Sequence, residues 1–436
     1  METQKQKVNI SEELNDPDQW TYYNEGNNNI ILRYIGSNNI LSSKILRIRK
    51  NNNVQYYTDP TLFPLEEYNK LFIEKVFMSH PILSKYLQEF EYVTLTQEFL
   101  KIIDSRLNDS KECDRSKINS LSTLDLSCPS AMLATNFSSQ PEPTDDIKLQ
   151  KVISFETKPK SGVVEYVPTS VKSYIEQNES ELQNFNTKQD MKEKFICNEF
   201  TKYHIMQVSR KYKGKLNNLS KYCPRDFFNK ESLSKSLRDL IDDRQIYGRL
   251  FMNGEELFEV EDDLLYLISD FLLESNIINA VFDFQKFCMH SMEYVLDCYN
   301  KVAKYLLDET TREQHFDIIR RIFNNFEFAK NNELANQQCD QNNQEQLWNV
   351  IIGYLISATA KDFTIIMRIV DKISQEDIDN KHQSLKNEQI LTYKGQQYKV
   401  RIGVIDLEGK MYTKLPVYMK EAEEAYLNFV KYQNEN

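Results

Sequence analysis

Hydrophobic and polar positions alternate most clearly near the start of the chain. Between residues 20 and 50, Ile30-Ile31-Leu32-Arg33-Tyr34-Ile35 reads as a strand, and Lys44-Ile45-Leu46-Arg47-Ile48-Arg49-Lys50 alternates apolar and basic residues as a half-buried strand does. From 65 to 104 the spacing turns mostly helical, with Glu91 to Thr96 as a candidate strand inside it. Met132-Leu133-Ala134 is a short apolar run and Val152-Ile153-Ser154-Phe155 a short strand. Helical periodicity covers 176–213, 230–243 and 261–328. Asn331 to Gln344 is a polar Asn/Gln tract that reads as a mobile loop. Val350 to Ala360 predicts a buried helix ended by Lys361-Asp362. Two further strands follow, Phe363 to Val370 and Gln397 to Ile405, the second closing with Asp406. The Ser-, Asp- and Lys-rich stretch 105–128 and the Pro-containing stretch 138–146 punctuate the pattern. They divide it into an N-terminal α/β lobe, 1–137, and a larger C-terminal lobe, 138–436, for an α/β (α+β) chain overall.

Composition narrows the classes. A chain of 436 residues, 40% hydrophobic and 27% charged, has ample core for two lobes. No run of 18 or more apolar residues predicts a membrane span, and the N-terminus has no apolar signal-peptide core. The seven cysteines form no CxxC pair, which favours reduced thiols and an intracellular location, cytoplasmic or nuclear. Cys288-Met289-His290 with Cys298 is a loose match to a zinc pattern, and core packing is the expected role. The net charge of −11 argues against a nucleic-acid binder working through bulk electrostatics. A small, highly anionic ligand is still compatible, because it answers to the local field.

Candidate chemistry sits at the ends of the strands. Glu156-Thr157-Lys158-Pro159-Lys160 sets a carboxylate and two ammonium groups within five residues. Pro159 biases Lys158 toward an extended conformation, in which Glu156, Lys158 and Lys160 would share a face. Such a cluster suits phosphate beside a metal-nucleotide, and a surface charge cluster would look similar. Glu25-Gly26-Asn27-Asn28-Asn29 is either a phosphate-cradling loop or an ordinary hairpin turn. Asp362 and Asp406 are acids at strand ends that two neighbouring strands could bring together, though each also suits a plain strand boundary. Lys202 and Arg210 lie eight apart, toward one side of a helix, and Lys410, Lys414 and Tyr418 follow Asp406 at four-residue steps, where Pro416 argues against a regular helix. Phosphoryl transfer needs parts of this kind: a loop and cations on the nucleotide, a carboxylate on Mg²⁺ and an acid near the accepting hydroxyl. GxxxxGK[ST], HRDxxxxN, DFG, GxSxG and HExxH are all missing.

The chain resembles the inositol-pentakisphosphate 2-kinase family. The resemblance rests on Trp20-Thr21-Tyr22 with Glu25-Gly26 and Asn29, on Lys44 to Arg47, on Glu156 to Lys160, and on Tyr222 to Phe228. It continues through Arg249 to Gly254, Tyr354 to Asp362, and Ile405-Asp406-Leu407 with Lys410. It implies a two-lobed kinase around an ATP and substrate cleft. Such an enzyme moves the γ-phosphate of ATP to the 2-hydroxyl of inositol 1,3,4,5,6-pentakisphosphate, giving inositol hexakisphosphate (phytate). By the resemblance, Gly26, Asn27, Asn28 and Asn29 lie over the ATP phosphates, Thr135, Asn136 and Phe137 hold adenine, and Arg47, Glu156, Lys158 and Arg249 contact nucleotide. Asp406 would hold Mg²⁺. Lys160, Lys202, Arg210, Lys410, Lys414 and Tyr418 would bind the inositol phosphate, and Asp362, with Lys158 beside it, would act as general base at the reacting hydroxyl. The implied partners are ATP and inositol pentakisphosphate, on a monomer. Met206 stands where the family has a histidine, with His204 close by, and Ile246 and Tyr247 replace a polar pair. The N-lobe substrate arginine has only Arg115 and Lys117 as candidates. These departures leave two alternatives: a non-catalytic inositol-phosphate-binding scaffold, or a kinase with relaxed inositol phosphate specificity.

Overall fold

The structure is a computed structural model that describes residues 12–26, 28–38, 40–51, 61–88, 90–109, 123–136, 151–187, 195, 200–243, 248–340, 342–371 and 388–436. The chain is of the mixed α/β class, with two antiparallel sheets. It forms two compact units: Met1–Pro60 with Gln88–Ile147, and Thr61–Leu87 with Lys148–Asn436. The segment from Thr61 to Leu87 therefore packs with the second unit, whereas the sequence pattern suggested one boundary after residue 137.

In the first unit, β1 (Trp20–Glu25), β2 (Asn29–Tyr34), β3 (Lys44–Arg49), β4 (Phe90–Thr94) and β5 (Ser130–Thr135) form a sheet of order β1-β2-β3-β5-β4. The alternation legible in the sequence sets its faces. Ile30, Leu32, Tyr34, Leu46 and Ile48 turn to one side and are buried there with Trp20, whose ring meets Tyr34 edge-on at 5.3 Å. The helix Gln97–Asn108 closes this core with Phe99, Leu100, Ile103 and Leu107. Its N-cap is Thr96, whose hydroxyl accepts from the Phe99 amide at 3.2 Å.

In the second unit, β6 (Val152–Thr157), β7 (Gly248–Met252), β8 (Glu255–Glu256), β9 (Thr364–Val370), β10 (Glu388–Tyr393) and β11 (Gln396–Ile405) form a sheet of order β10-β11-β9-β6-β7-β8. Five of its helices matter for the site: α1 (Lys202–Tyr212), α2 (Ile277–Gln285), α3 (Phe328–Asn336), α4 (Gln344–Ala360) and α5 (Leu415–Glu435). Helix α4 is apolar on every side, with Trp348, Ile351, Leu355 and Ile356 all fully buried, as suits a helix surrounded by protein. Gly353 lets α3 approach it closely, since a Cβ there would sit 2.4 Å from Cβ of Ala335.

One expectation fails here. The Asn-rich tract begins as the helix α3 rather than a loop. Its amides are internal partners: Asn331 accepts from the Glu327 amide at 2.8 Å, and Asn332 and Asn336 both donate to the Phe287 carbonyl. Pro416 argues against one regular helix through Lys410, Lys414 and Tyr418, and α5 does begin only at Leu415, after a 3₁₀ turn at Tyr412–Lys414. Pro416 occupies the first turn of α5, where the missing N–H has no intrahelical partner to lose. Among the described residues, no single helix is long and apolar enough to cross a membrane.

Candidate active site

Strand register assembles the site in the second unit. Thr157 at the end of β6 lies opposite Ile365 on β9, and Thr364 at the start of β9 lies opposite Ile405 at the end of β11. Three strand ends therefore share one edge of the sheet. Lys158 leaves β6 there, Asp362 precedes β9 there, and Asp406 leaves β11 there. The extended alternation expected for Glu156, Lys158 and Lys160 stops at Thr157, because Lys160 takes φ 60°. Asp406 also lies in the left-handed region, at φ 63°. Non-glycine residues held there are strained, and the surrounding structure has to impose that conformation.

The side chains then pair acid with base. Lys158 Nζ is 3.0 Å from Asp406 Oδ2, and the Thr364 hydroxyl donates to that same oxygen at 2.6 Å. Asp362 lies between two lysines, with Lys160 Nζ 3.4 Å from one oxygen and Lys410 Nζ 2.8 Å from the other. The backbone around Lys410 is fixed: its amide donates to the Thr359 hydroxyl and its carbonyl accepts from Tyr68. Burial pushes the Asp362 carboxyl up, but Lys410, Lys160 and Lys158 together hold it well below the usual carboxylate range. Glu156 behaves oppositely. Burial raises its pKa, the Asp406 charge adds to that, and Arg249 and Lys158 only partly oppose it. Arg249 lies directly opposite Glu156 on β7 and forks onto Glu256, with both N–O distances 3.1 Å.

A second charged group adjoins the first. Lys202, at the start of α1, lies 3.6 Å from Glu165, and Lys361, the neighbour of Asp362, lies 2.7 Å from it. Burial raises the Glu165 pKa, yet the two lysines bring it down to about 2. Arg210 is exposed in the last turn of α1. Lys414 is the N-cap of α5 and Tyr418 is half-buried in its first turn. Met206 packs against an apolar cluster containing Phe429, and His204 pairs with the Thr201 hydroxyl at 2.9 Å. Burial lowers the His204 pKa, so the ring is neutral near pH 7.

The structure thus brings Glu156, Lys158, Lys160, Arg249, Asp362, Asp406 and Lys410 to one end of one sheet. The remaining expected residues lie in the first unit. Gly26, Asn28 and Asn29 form the turn between β1 and β2, closed by the Gly26 amide on the Asn29 carbonyl at 2.9 Å. Arg47 is on β3, between Ile31 of β2 and Met132 of β5. Thr135 ends β5, and the Asn136 amide donates to the Ser43 carbonyl. Asn27, Phe137, Arg115, Lys117, Ile246 and Tyr247 lie outside the described residues.

Glu165, Thr364 and Tyr222 escaped the sequence reading as site residues. Tyr222 opens the Tyr222 to Phe228 block, and its fully buried hydroxyl donates to the Pro159 carbonyl at 2.5 Å. The block therefore supports the Lys158-Pro159-Lys160 turn from below. Glu165 and Thr364 had no periodic or spacing signal; only the folded register gives them partners.

Comparison with known proteins gives the family. A sequence profile described as inositol-pentakisphosphate 2-kinase matches residues 22–424. An inositol-pentakisphosphate 2-kinase of Oryza sativa subsp. indica is 21% identical over 465 residues, covering 95% of this chain and 94% of its own. One of Arabidopsis thaliana is 24% identical over 269 residues, covering 56% of this chain and 53% of its own. One of Debaryomyces hansenii is 30% identical over 96 residues, 22% of this chain and 23% of its own. A profile match from residue 22 to residue 424, with a relative matched across 95% of the chain, means that the chain belongs to the inositol-pentakisphosphate 2-kinase family, a family of phosphate-transferring enzymes.

Proposed function

We propose that this protein transfers the γ-phosphate of ATP to the 2-hydroxyl of inositol 1,3,4,5,6-pentakisphosphate, giving inositol hexakisphosphate and ADP. The observation that carries the proposal is the shared edge of β6, β9 and β11, where Lys158 pairs with Asp406 and both Lys160 and Lys410 pair with Asp362. In this reading Asp362, ionised and partly exposed, orients the hydroxyl and takes its proton as the oxygen bonds to the γ-phosphorus and the bond to ADP breaks. Lys160 and Lys410 turn from the carboxylate to substrate phosphates, and Lys158 serves the transferring phosphoryl group. Lys202, Arg210, Lys414 and Tyr418 are assigned to the remaining phosphates. Their charges read the positions of five phosphates at once, each charge-assisted contact worth about 1.5–3 kcal/mol.

Magnesium fits the donor set. Asp406 and Glu156 offer hard carboxylate oxygens, close enough that the Asp406 charge raises the Glu156 pKa, which suits an ion that takes one or two carboxylates and completes its shell with water and phosphate. When bound, Mg²⁺ would neutralise charge on the ATP phosphates. For Gly26, Asn27, Asn28, Asn29, Arg47, Thr135, Asn136 and Phe137, the assignment to ATP rests on the family resemblance alone.

Purified protein incubated with Mg-ATP and inositol 1,3,4,5,6-pentakisphosphate, with products separated by anion-exchange chromatography, should give the hexakisphosphate. Binding without turnover would replace the proposal with a scaffold. Met206, half-buried against an apolar cluster where the family has a histidine, favours a second reading, relaxed choice among inositol phosphates. Comparable kcat/KM on lower inositol phosphates would select it.

A further inference from the structure

We infer that Gln285, at the C-terminal end of α2, is a positioning residue that holds the Lys160 turn against the approach to Asp362. Its side chain is 1% exposed. The amide oxygen accepts from the Gly162 N–H at 3.0 Å, and the amide nitrogen donates to the Lys160 carbonyl at 2.8 Å. The same nitrogen lies 3.5 Å from the carbonyl of Ala360, the last residue of α4 and two residues before Asp362. One planar group thus joins the two backbone segments that bear the Lys160–Asp362 pair. A primary amide is suited to this task, because it presents donor and acceptor from one rigid plane.

The turn needs such a hold. Lys160 is in the left-handed region, a conformation that costs about 1–3 kcal/mol and persists only where neighbours impose it. Gly162 lies so close under Phe228 that a Cβ would meet the ring at 2.4 Å, and Phe228 stacks at 4.8 Å on Phe282, itself on α2. The helix therefore holds the turn by both its rings and its terminal amide. The side-chain hydrogen bonds of Gln285 reach Gly162, Lys160 and Ala360, on the side of the Lys160–Asp362 pair, so its effect should fall on the inositol phosphate side. That consequence for kinetics rests on the function proposed above.

The test is Gln285→Met, which keeps length and apolar volume and removes the hydrogen bonds, in the full chain. With folding checked by thermal unfolding, kcat should fall about 10- to 100-fold, because small misplacements of reacting groups cost that much. KM for ATP should stay within about twofold, since uniform nucleotide binding is untouched. Acylation of Lys160, read by mass spectrometry, should speed up several-fold relative to Lys158. Should the variant fail to fold, hydrogen exchange of the Gly162 amide in the unmodified protein decides: slow exchange supports the clamp and rapid exchange overturns it. Normal kcat with unchanged Lys160 labelling also overturns it. If the unmodified protein makes no hexakisphosphate, the proposed function falls, and the labelling contrast still judges Gln285.

Discussion

The proposed chemistry turns on one carboxyl group, Asp362. Two lysine ammoniums outweigh its burial, so its folded pKa lies below its unfolded value near about 3.9. The stability it contributes is then complete above that unfolded value and is lost as pH falls through the folded one. Between pH 5 and 8 its charge in the free enzyme does not change, and the kcat/KM profile should show no acid limb attributable to it. An acid limb in that range that vanishes in Asp362→Asn would leave Asp362 as the base and overturn its low pKa instead. The same substitution keeps the size of the side chain and removes the proton acceptor, so kcat should drop about 10²- to 10⁴-fold. Nucleotide affinity, measured by calorimetry, should survive. Retention of near-normal turnover would remove Asp362 from the mechanism. The charged residues that the fold brings together were legible in the sequence from the Glu156–Lys160 run, the strand-end acids and the family resemblance. Their neighbours were not: Thr364 is one threonine among many until β9 pairs with β11.

Among elements, the strand ends were the readable part. β6, β9 and β11 each announce themselves by β-branched runs, and an acid or lysine just past each run marks its end. Helix α4 was readable for the same reason, an apolar run too long for a strand. The Asn-rich helix α3 was not, because its polarity combines exposed positions with internal amide bonds that only the fold supplies, and β10 had no distinct signal. Glu165 shows what joins elements: it ties Lys202 on α1 to Lys361 at the end of α4. Its pKa of about 2 again means stability present above the unfolded value near about 4.3 and lost as pH falls toward 2. Glu165→Gln leaves two ammonium groups with no countercharge, and should lower stability by about 3–5 kcal/mol in denaturant titration. A loss below about 1 kcal/mol would mean the two helices do not depend on it.

For the whole molecule, net charge and site charge point in opposite directions. The chain carries −11, yet at the site five lysines, Lys158, Lys160, Lys202, Lys361 and Lys410, stand beside four carboxylates, Glu156, Glu165, Asp362 and Asp406. The local excess is cationic, which a global count could not reveal. Because these side chains are partly open to solvent, salt should screen them. Raising ionic strength from about 0.05 to about 0.5 M should increase KM for the inositol phosphate several-fold, as the screening length shrinks toward about 4 Å. A flat KM would show that shape, not charge, selects the substrate. The division into units was only half legible, since composition shifts reveal linkers but not the segment 61–87, which packs away from its sequence neighbours.

The left-handed backbone at Lys160 and Asp406 restricts what evolution and mutagenesis can do there. Asparagine tolerates that region nearly as well as aspartate, whereas alanine resists it. At Asp406, Asn would therefore report on lost charge alone, and Ala would report on lost charge and a resisting main chain together. Drift at either position is filtered twice, once by what the side chain must do and once by which residues can bend that way.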